Sequence, residues 1–365
     1  MLGKSAAIEA ARGETPMLNR FIDLYSDTKT KPTREMRAFM ANAEVGDEQK
    51  DEDPTVLRLA ERVCDLLGKE AAVFLPSGTM CNEIALAVHC RPGDEVICDR
   101  TAHIVTSEAG GPAALAGVMI HSIDGDRGMY SAAQLAEAIR TETRYTPRSR
   151  LAVVEQTSNF GGGSIWPLAQ IEDVAAVARA RNMSLHMDGA RLLNATIASG
   201  VTARRYAEPF DTAWIDFTKG LGAPVGAMLA GSKDHINEAW RLKQRLGGAM
   251  RQAGIIAAAG LYALDHHVDR LSEDHDNARH FACGLAEIDG IEIDSDRVET
   301  NIVFFDVAAL GWQASDLVAV LKGEGVGLGA FGPSRIRAVT HLDVARADID
   351  RALGIIRAVL ARRRN

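Results

Sequence analysis

Short apolar runs alternate with longer stretches of helical periodicity through most of this chain, and that alternation restricts the fold more than any other feature. Strand-length runs lie at Ala71–Phe74, Glu95–Cys98, Val118–His121, Leu151–Glu155, Ser184–Met187, Trp214–Phe217 and Gly226–Ala230. Helical patterns separate them at Asp53–Leu67, Thr79–Val88, Ala132–Ile139, Ile171–Arg181 and Lys233–Leu246, with Asp53 placed as an N-cap before Pro54. Repeated βα units of this kind bury a mostly parallel sheet between helices. Around Gly260–Asn277 the pattern reads as one long polar helix, and the order then changes. A helix at Asp276–Leu285, a strand at Thr300–Val307, a helix at Ala314–Lys322, a strand at Ile336–Val339 and a last helix at Ala345–Arg362 describe a different unit. The expected fold is therefore α/β: a large domain with a mostly parallel seven-stranded sheet, plus a smaller C-terminal α+β domain. The expected division is an N-terminal extension over 1–20, a large domain over 21–260 and a small domain over 261–365, in keeping with a chain of 365 residues.

Composition narrows the function classes. Hydrophobic residues at 47% and charged residues at 25% exclude disordered and collagen-like readings. A net charge of −8, with no basic stretch beyond Arg362-Arg363-Arg364, argues against nucleic acid as a partner. Five cysteines without a C-x-x-C pair fit reduced thiols rather than a disulfide framework. Charges at Lys4, Glu9, Arg12 and Glu14 interrupt any apolar leader, and the run Ile255–Leu264 is too short to span a bilayer. The expectation is a cytoplasmic protein with no membrane partner.

Five segments carry side chains suited to chemistry. In Phe217-Thr218-Lys219-Gly220-Leu221-Gly222 an apolar strand delivers a lysine into a glycine-rich turn. A poorly solvated amine there has a lowered pKa and attacks carbonyls, as a Schiff-base lysine does; the plain alternative is a surface lysine. In His186-Met187-Asp188-Gly189-Ala190-Arg191 a strand ends in an acid at the edge where α/β sheets bind ligands. Such an acid can keep a pyridine nitrogen protonated, or simply cap the next helix. The turn Pro76-Ser77-Gly78-Thr79 opens a helix and can cradle a phosphate, although Ser77 and Thr79 can equally be caps. His103, just past a strand and followed by Glu108, can stack on a cofactor ring, move protons or serve structure alone. Arg337 can grip a carboxylate through two parallel hydrogen bonds, or stand exposed on its strand.

Taken together, Pro76-Ser77-Gly78-Thr79-Met80, His186-Met187-Asp188-Gly189-Ala190-Arg191, Lys219-Gly220-Leu221-Gly222-Ala223-Pro224-Val225-Gly226 and Met250-Arg251-Gln252-Ala253-Gly254 resemble the threonine aldolase and β-eliminating lyase family of pyridoxal 5'-phosphate enzymes, within the aspartate-aminotransferase-like fold. The resemblance runs from Asp23 to Val344. It implies a Schiff base at Lys219, Asp188 on the pyridine nitrogen, His103 stacked on the ring, and Ser77, Gly78 and Thr79 around the phosphate. It also implies Arg191 near the cofactor's phenolic oxygen or the substrate carboxylate, Ser26 and Arg337 on that carboxylate, and Arg251 reaching the phosphate region of a neighbouring subunit. A homo-oligomer follows by the same resemblance, at least a dimer and in most relatives a tetramer.

Two departures bear on substrate. Lys50 stands where the family has a substrate-side tyrosine, and Ser158 stands where it has a histidine on the substrate's β-hydroxyl. The activity implied is retro-aldol cleavage of a small β-hydroxy-α-amino acid, of the L-threonine or L-allo-threonine kind, to glycine and an aldehyde. His103 is then the candidate base, with Ser158 positioning a water. β-Elimination and racemase-like proton exchange are the alternatives within pyridoxal chemistry. Gly327-Leu328-Gly329-Ala330-Phe331-Gly332 matches a dinucleotide fingerprint, but it runs into Pro333 rather than opening a helix and reads as a loop. Cys81, His89 and Cys90 lie on one amphipathic helix at spacings unsuited to a metal, so they read as core, and His266-His267 reads as a solvated or interface pair.

Overall fold

The computed structural model describes residues 21–364, the side chains of Arg363 and Arg364 excepted, so the expected extension over 1–20 lies outside the described residues. After a two-residue strand, β1 (Ile22–Asp23), the main sheet is built from β2 (Ala71–Leu75), β3 (Glu95–Asp99), β4 (Met119–Ile123), β5 (Ser149–Glu155), β6 (Ser184–Gly189), β7 (Thr212–Asp216) and β8 (Ala227–Gly231). Their order across the sheet is β2-β8-β7-β6-β5-β3-β4. Only β8 runs against its neighbours; the other pairings are parallel. This is the mostly parallel seven-stranded sheet expected from the apolar runs. β7 and β8 are buried along their whole length, which explains why they lack the alternation of a half-exposed strand.

Local chemistry fixes the elements around the site. Helix Pro54–Leu67 starts where Asp53 accepts from the N–H groups of Thr55 and Val56, with Pro54 supplying no orphan donor, and ends at Gly68 in the left-handed region. Helix Gly78–His89 starts at Ser77, whose hydroxyl accepts from Met80 N. A Cβ at Gly78 would come 2.2 Å from the Trp214 ring, so the glycine lets this helix begin directly against β7.

A second core lies under the sheet formed by β9 (Ile302–Asp306), β11 (Gly329–Ala330) and β12 (Arg335–Val339), with β10 (Val326–Gly327) pairing with β1. Ile22 and Leu24 pack into this second core, although they fall in the 21–260 segment expected to belong to the large domain. The single polar helix expected near Gly260–Asn277 is two helices, Gly254–His266 and Leu271–Ala286. Ala257, Ala259 and Ala263 of the first are buried in the main core, while Phe281, Ala282 and Leu285 of the second are buried in the other. The chain bends where it passes from one core to the next. His267 sits at that bend, buried and hydrogen-bonded through Nδ1 to the Leu221 carbonyl, so it is not a solvated residue. The glycine-rich segment read as a loop contributes β10 and β11. Helices Arg34–Ala41, Leu192–Ser199 and Ala203–Ala207 were not anticipated. Among the described residues no helix is long and apolar enough to cross a membrane.

Candidate active site

Sheet register aligns the first site residues. Glu155 on β5 is the partner of Asp188 on β6, which is the partner of Trp214 on β7, so the three share one face at the carboxyl-terminal edge. Asp216, two residues beyond Trp214, lies on the same face. Helix Gly78–His89 crosses this face and points Asn82 into it. Asn82 Nδ2 donates to Asp188 Oδ2 at 2.8 Å and to Glu108 Oε1 at 2.7 Å, while its Oδ1 accepts from Trp214 Nε1 at 2.7 Å. A single buried amide thereby ties together helix, sheet and the segment after β3.

Above this edge lies a cavity of about 380 Å³. Lys219 reaches it from the turn after β7, pairing with Asp216 and lying 5.8 Å from the centre of the Trp214 ring. Thr218 secures that partner, its N–H and hydroxyl both donating to Asp216 Oδ1. Asp188 faces the cavity with Oδ1 accepting from Ala190 N at 3.0 Å. Burial pushes the Asp188 carboxyl up, against the pull of His103, Asn82 and Lys219. His103 donates its backbone N–H to Glu155 Oε2 and bonds through Nδ1 to Glu108 Oε1, each at 2.8 Å. Burial alone would lower its pKa, but the bond to Glu108 and the charges of Asp188, Glu108 and Glu155 raise it overall. Burial, reinforced by the Asp188 charge, pushes Glu155 up to about 7. His186, beneath Asp188, is pushed by burial to about 3 and is a neutral link between Thr212 and Asn82.

The small sheet closes the other side. Arg337 on β12 donates to Asn159 Oδ1 at 2.9 Å and lies 4.4 Å from the centre of the Phe331 ring. Burial, with Arg191 nearby, lowers its pKa to about 10. Phe331 meets Phe160 edge-on, and both line the cavity. Phe331 belongs to the glycine-rich segment dismissed from sequence as a loop. Arg191 also faces the cavity, held by two 2.7 Å bonds from Nε and Nη2 to the buried Asp27. Ser26 lies next to that carboxylate and caps the turn Asp27–Lys29.

Ser26, Ser77, Gly78, Thr79, His103, Asp188, Arg191, Lys219 and Arg337 thus line one cavity, as sequence reasoning grouped them. Ser158, anticipated beside them, does not, and Arg251, expected to serve a neighbouring subunit, lies outside this cavity as well. Arg251 is exposed and pairs with Asp47 at 2.9 Å. Ser158 is buried and its Oγ accepts from Gly161 N at 3.2 Å, against a glycine at 128 whose Cβ would lie 1.9 Å from that oxygen. An imidazole at 158 has no room there. Ser158→His is expected to destabilise the fold by about 1–3 kcal/mol rather than restore a substrate contact, measured as a lowered thermal midpoint. Lys50 is exposed, and Lys243 is buried against Glu48 with its ammonium 4.3 Å from the centre of the Trp240 ring. Sequence reasoning missed Asn82, Glu155, Asn159, Trp214 and Asp216. Only the i−3 spacing of Asp216 before Lys219 gave a signal, since Glu155 and Trp214 meet the site through strand register and Asn82 and Asn159 through the packing of a helix and a turn.

Comparison with known proteins decides the family. The family model described as "Beta-eliminating lyase" matches residues 23–309. The chain belongs to the β-eliminating lyase family. This family member is 40% identical over 342 residues to the low specificity L-threonine aldolase of Escherichia coli, covering 93% of this chain and 100% of that one. It is 38% identical over 338 residues to low-specificity L-threonine aldolase 1 of Arabidopsis thaliana, covering 91% and 94% respectively. Its fold is that of a threonine aldolase from Leishmania major, with a TM-score of 0.81 at 20% identity over 93% of this chain and 99% of that one.

Proposed function

We propose that this lyase uses pyridoxal 5'-phosphate to cleave a small β-hydroxy-α-amino acid, of the L-threonine or L-allo-threonine kind, into glycine and an aldehyde. The observation that carries the reading is one cavity holding the Lys219 amine, the buried Asp188 carboxyl, the His103 imidazole and the Arg337 guanidinium. The donor set suits such a cofactor. Gly78 and Thr79 occupy the first turn of a twelve-residue helix, where N–H groups lack intrahelical acceptors and favour a phosphate. Ser77 adds a hydroxyl beside them, Lys219 offers the amine for covalent attachment, and Asp188 offers the acid for a pyridine nitrogen. Bound there, the cofactor supplies an electron sink for the pair released at the substrate's α-carbon.

The chain's own residues do the rest. Asn82 and the Ala190 N–H keep Asp188 aimed at the cavity. Glu108 engages His103 Nδ1, which leaves Nε2 as the acceptor for the β-hydroxyl proton, directly or through a water. Arg337 and Ser26 hold the substrate carboxylate, with Arg191 beside them, and so choose which bond at the α-carbon is aligned for cleavage. Arg337→Lys loses the planar fork while keeping charge. It is expected to raise KM about 10–100-fold, in line with the loss of a charge-assisted hydrogen bond. An unchanged KM would remove Arg337 from this role.

Incubating the cofactor-loaded protein with L-threonine, L-allo-threonine and phenylserine tests the reading by release of glycine and aldehyde. One observation favours a second reading, β-elimination: position 158 presents no imidazole to the cavity. Elimination from threonine would instead yield ammonia and a 2-oxo acid. The assembly belonging to this reading is a cytoplasmic homo-oligomer, a dimer at least and a tetramer in full, in which the exposed Arg251 serves a neighbouring subunit's phosphate site.

A further inference from the structure

Behind His103 lies a carboxyl that the reaction does not use. Glu83 is on helix Gly78–His89, one residue after Asn82, and is 4% exposed. Both of its oxygens, and Oε2 of Glu108, are buried with no hydrogen-bond donor in reach among the described residues. Glu108 Oε1, in contrast, receives Asn82 Nδ2 and His103 Nδ1. Glu83 lies within hydrogen-bond reach of Glu108, and three buried, orphaned oxygens on two adjoining carboxyls cannot belong to two anions, because an unpaired buried charge is far costlier than a neutral acid. A single proton resolves the arrangement: it makes one carboxyl a donor to the other.

We propose that Glu83 is a protonated positioning residue whose O–H donates to Glu108 Oε2, so that the two carboxyls share one proton and the pair sets the protonation of His103. The inference rests on the role proposed above for His103. Glu108 is the charged member because its other oxygen already accepts two hydrogen bonds. Burial first, and then the hydrogen bond and charge of Glu108, push Glu83 up to about 8, which agrees with a neutral Glu83 at pH 7. Space for this carboxyl depends on Gly111, since a Cβ there would come 1.9 Å from Glu83 Oε1.

Among the described residues, none packed around this helix donates a hydrogen bond to either Glu83 oxygen. Elements packed against its helix include the turn Pro112–Ala116, strands β2, β5, β6, β7 and β8, and helix Lys233–Arg245. The turn, β2 and β8 bear no titratable side chain on their sequences. At the cavity edge β5 brings Glu155, β6 brings Asp188 over His186, and β7 brings Asp216, which is paired with Lys219, while at the far end of the helix β5 brings Arg150, which donates to the His89 carbonyl. The helix brings Lys243, already paired with Glu48, and His235, which lies edge-on to His89. The charge that acts on Glu83 is that of Glu108. His103 itself is faced by Glu108, Asp188 and Glu155.

A donor on Oε2 withdraws electron density from Glu108 and weakens its hold on the His103 proton. Removing that donor makes Glu108 a stronger base toward the imidazole, so the His103 titration moves up. The test uses the full-length cofactor-loaded protein. Infrared difference spectra at pH 7 between wild type and Glu83→Gln should show loss of one carboxylic-acid C=O band. The imidazole titration of His103, followed by NMR, should stay near wild type in Glu83→Gln, whose amide N–H replaces the donor. In Glu83→Leu it should rise by about one pH unit. Absence of the carboxylic-acid band overturns the proposal, as does an equal shift in both variants. Since the band is read without turnover, it stands or falls separately from the aldolase assignment, and Glu83→Gln alone decides the question should Glu83→Leu fail to fold.

Discussion

Lys219→Ala is expected to abolish cofactor attachment and to lower turnover by at least about 10³-fold, the scale of losing a positioned nucleophile and proton carrier. The amine stands in the cavity against Asp216, and among the described residues no other lysine lines that space. Two measurements check this. Borohydride treatment should fix pyridoxal to a peptide containing residue 219 in the wild type and to none in the variant. The visible absorbance of the loaded protein should vanish with it. Turnover within tenfold of wild type in the alanine variant would remove the central assignment. The fold should persist, because the core packing of that turn comes from Phe217, Leu221 and Ala223 on either side of Lys219.

Asp27→Ala is expected to destabilise the protein by about 3–5 kcal/mol, the cost of leaving a buried guanidinium unpaired. Arg191 and Asp27 are 5% and 0% exposed and joined by two short hydrogen bonds, and Asn301 donates to the same carboxylate at 3.1 Å. The pair fastens the N-terminal segment carrying Ser26 to the end of β6. Burial by itself would raise the Asp27 pKa, but the Arg191 charge and hydrogen bond override it and hold the carboxyl well below the usual carboxylate range. The sign follows from that depression: the folded state binds fewer protons than the unfolded one. Its stabilisation is complete above the ordinary carboxylate pKa of about 4 and is lost as pH falls toward the folded-state value. Urea unfolding should therefore show wild type losing stability below pH 4 more steeply than Asp27→Asn. A penalty under about 1 kcal/mol for Asp27→Ala, against the range for broken buried pairs, would mean that water reaches Arg191.

Much of the architecture was legible because its signals are local. A buried strand must be apolar over a few residues, an N-cap must present an acceptor, and each of the seven runs read from the chain forms a strand of the main sheet. Lys219, Asp188, His103 and Ser77 were recognisable for a related reason: each stands at the end of a strand or the start of a helix, where backbone geometry leaves a side chain free for ligands. The long helix across Gly260–Asn277 was misread because periodicity within one segment does not reveal that its halves are buried in different cores. Ser158 was drawn into the site by resemblance, yet its burial and the hydrogen bond it accepts from Gly161 place it elsewhere in this chain.

By itself the order of residues determined the strands, the helix starts and the side chains able to hold a cofactor. Tertiary structure alone decided the partners of those groups. Asp188 is aligned with Glu155 and Trp214 by register between strands far apart in sequence, and Asn82 reaches Asp188 and Glu108 only because its helix lies across that face. Whether a buried carboxyl is an acid or an anion depends on which donors and charges surround it in space. For Glu83, Glu108 and His103, that depends on how the helix packs against the segment following β3.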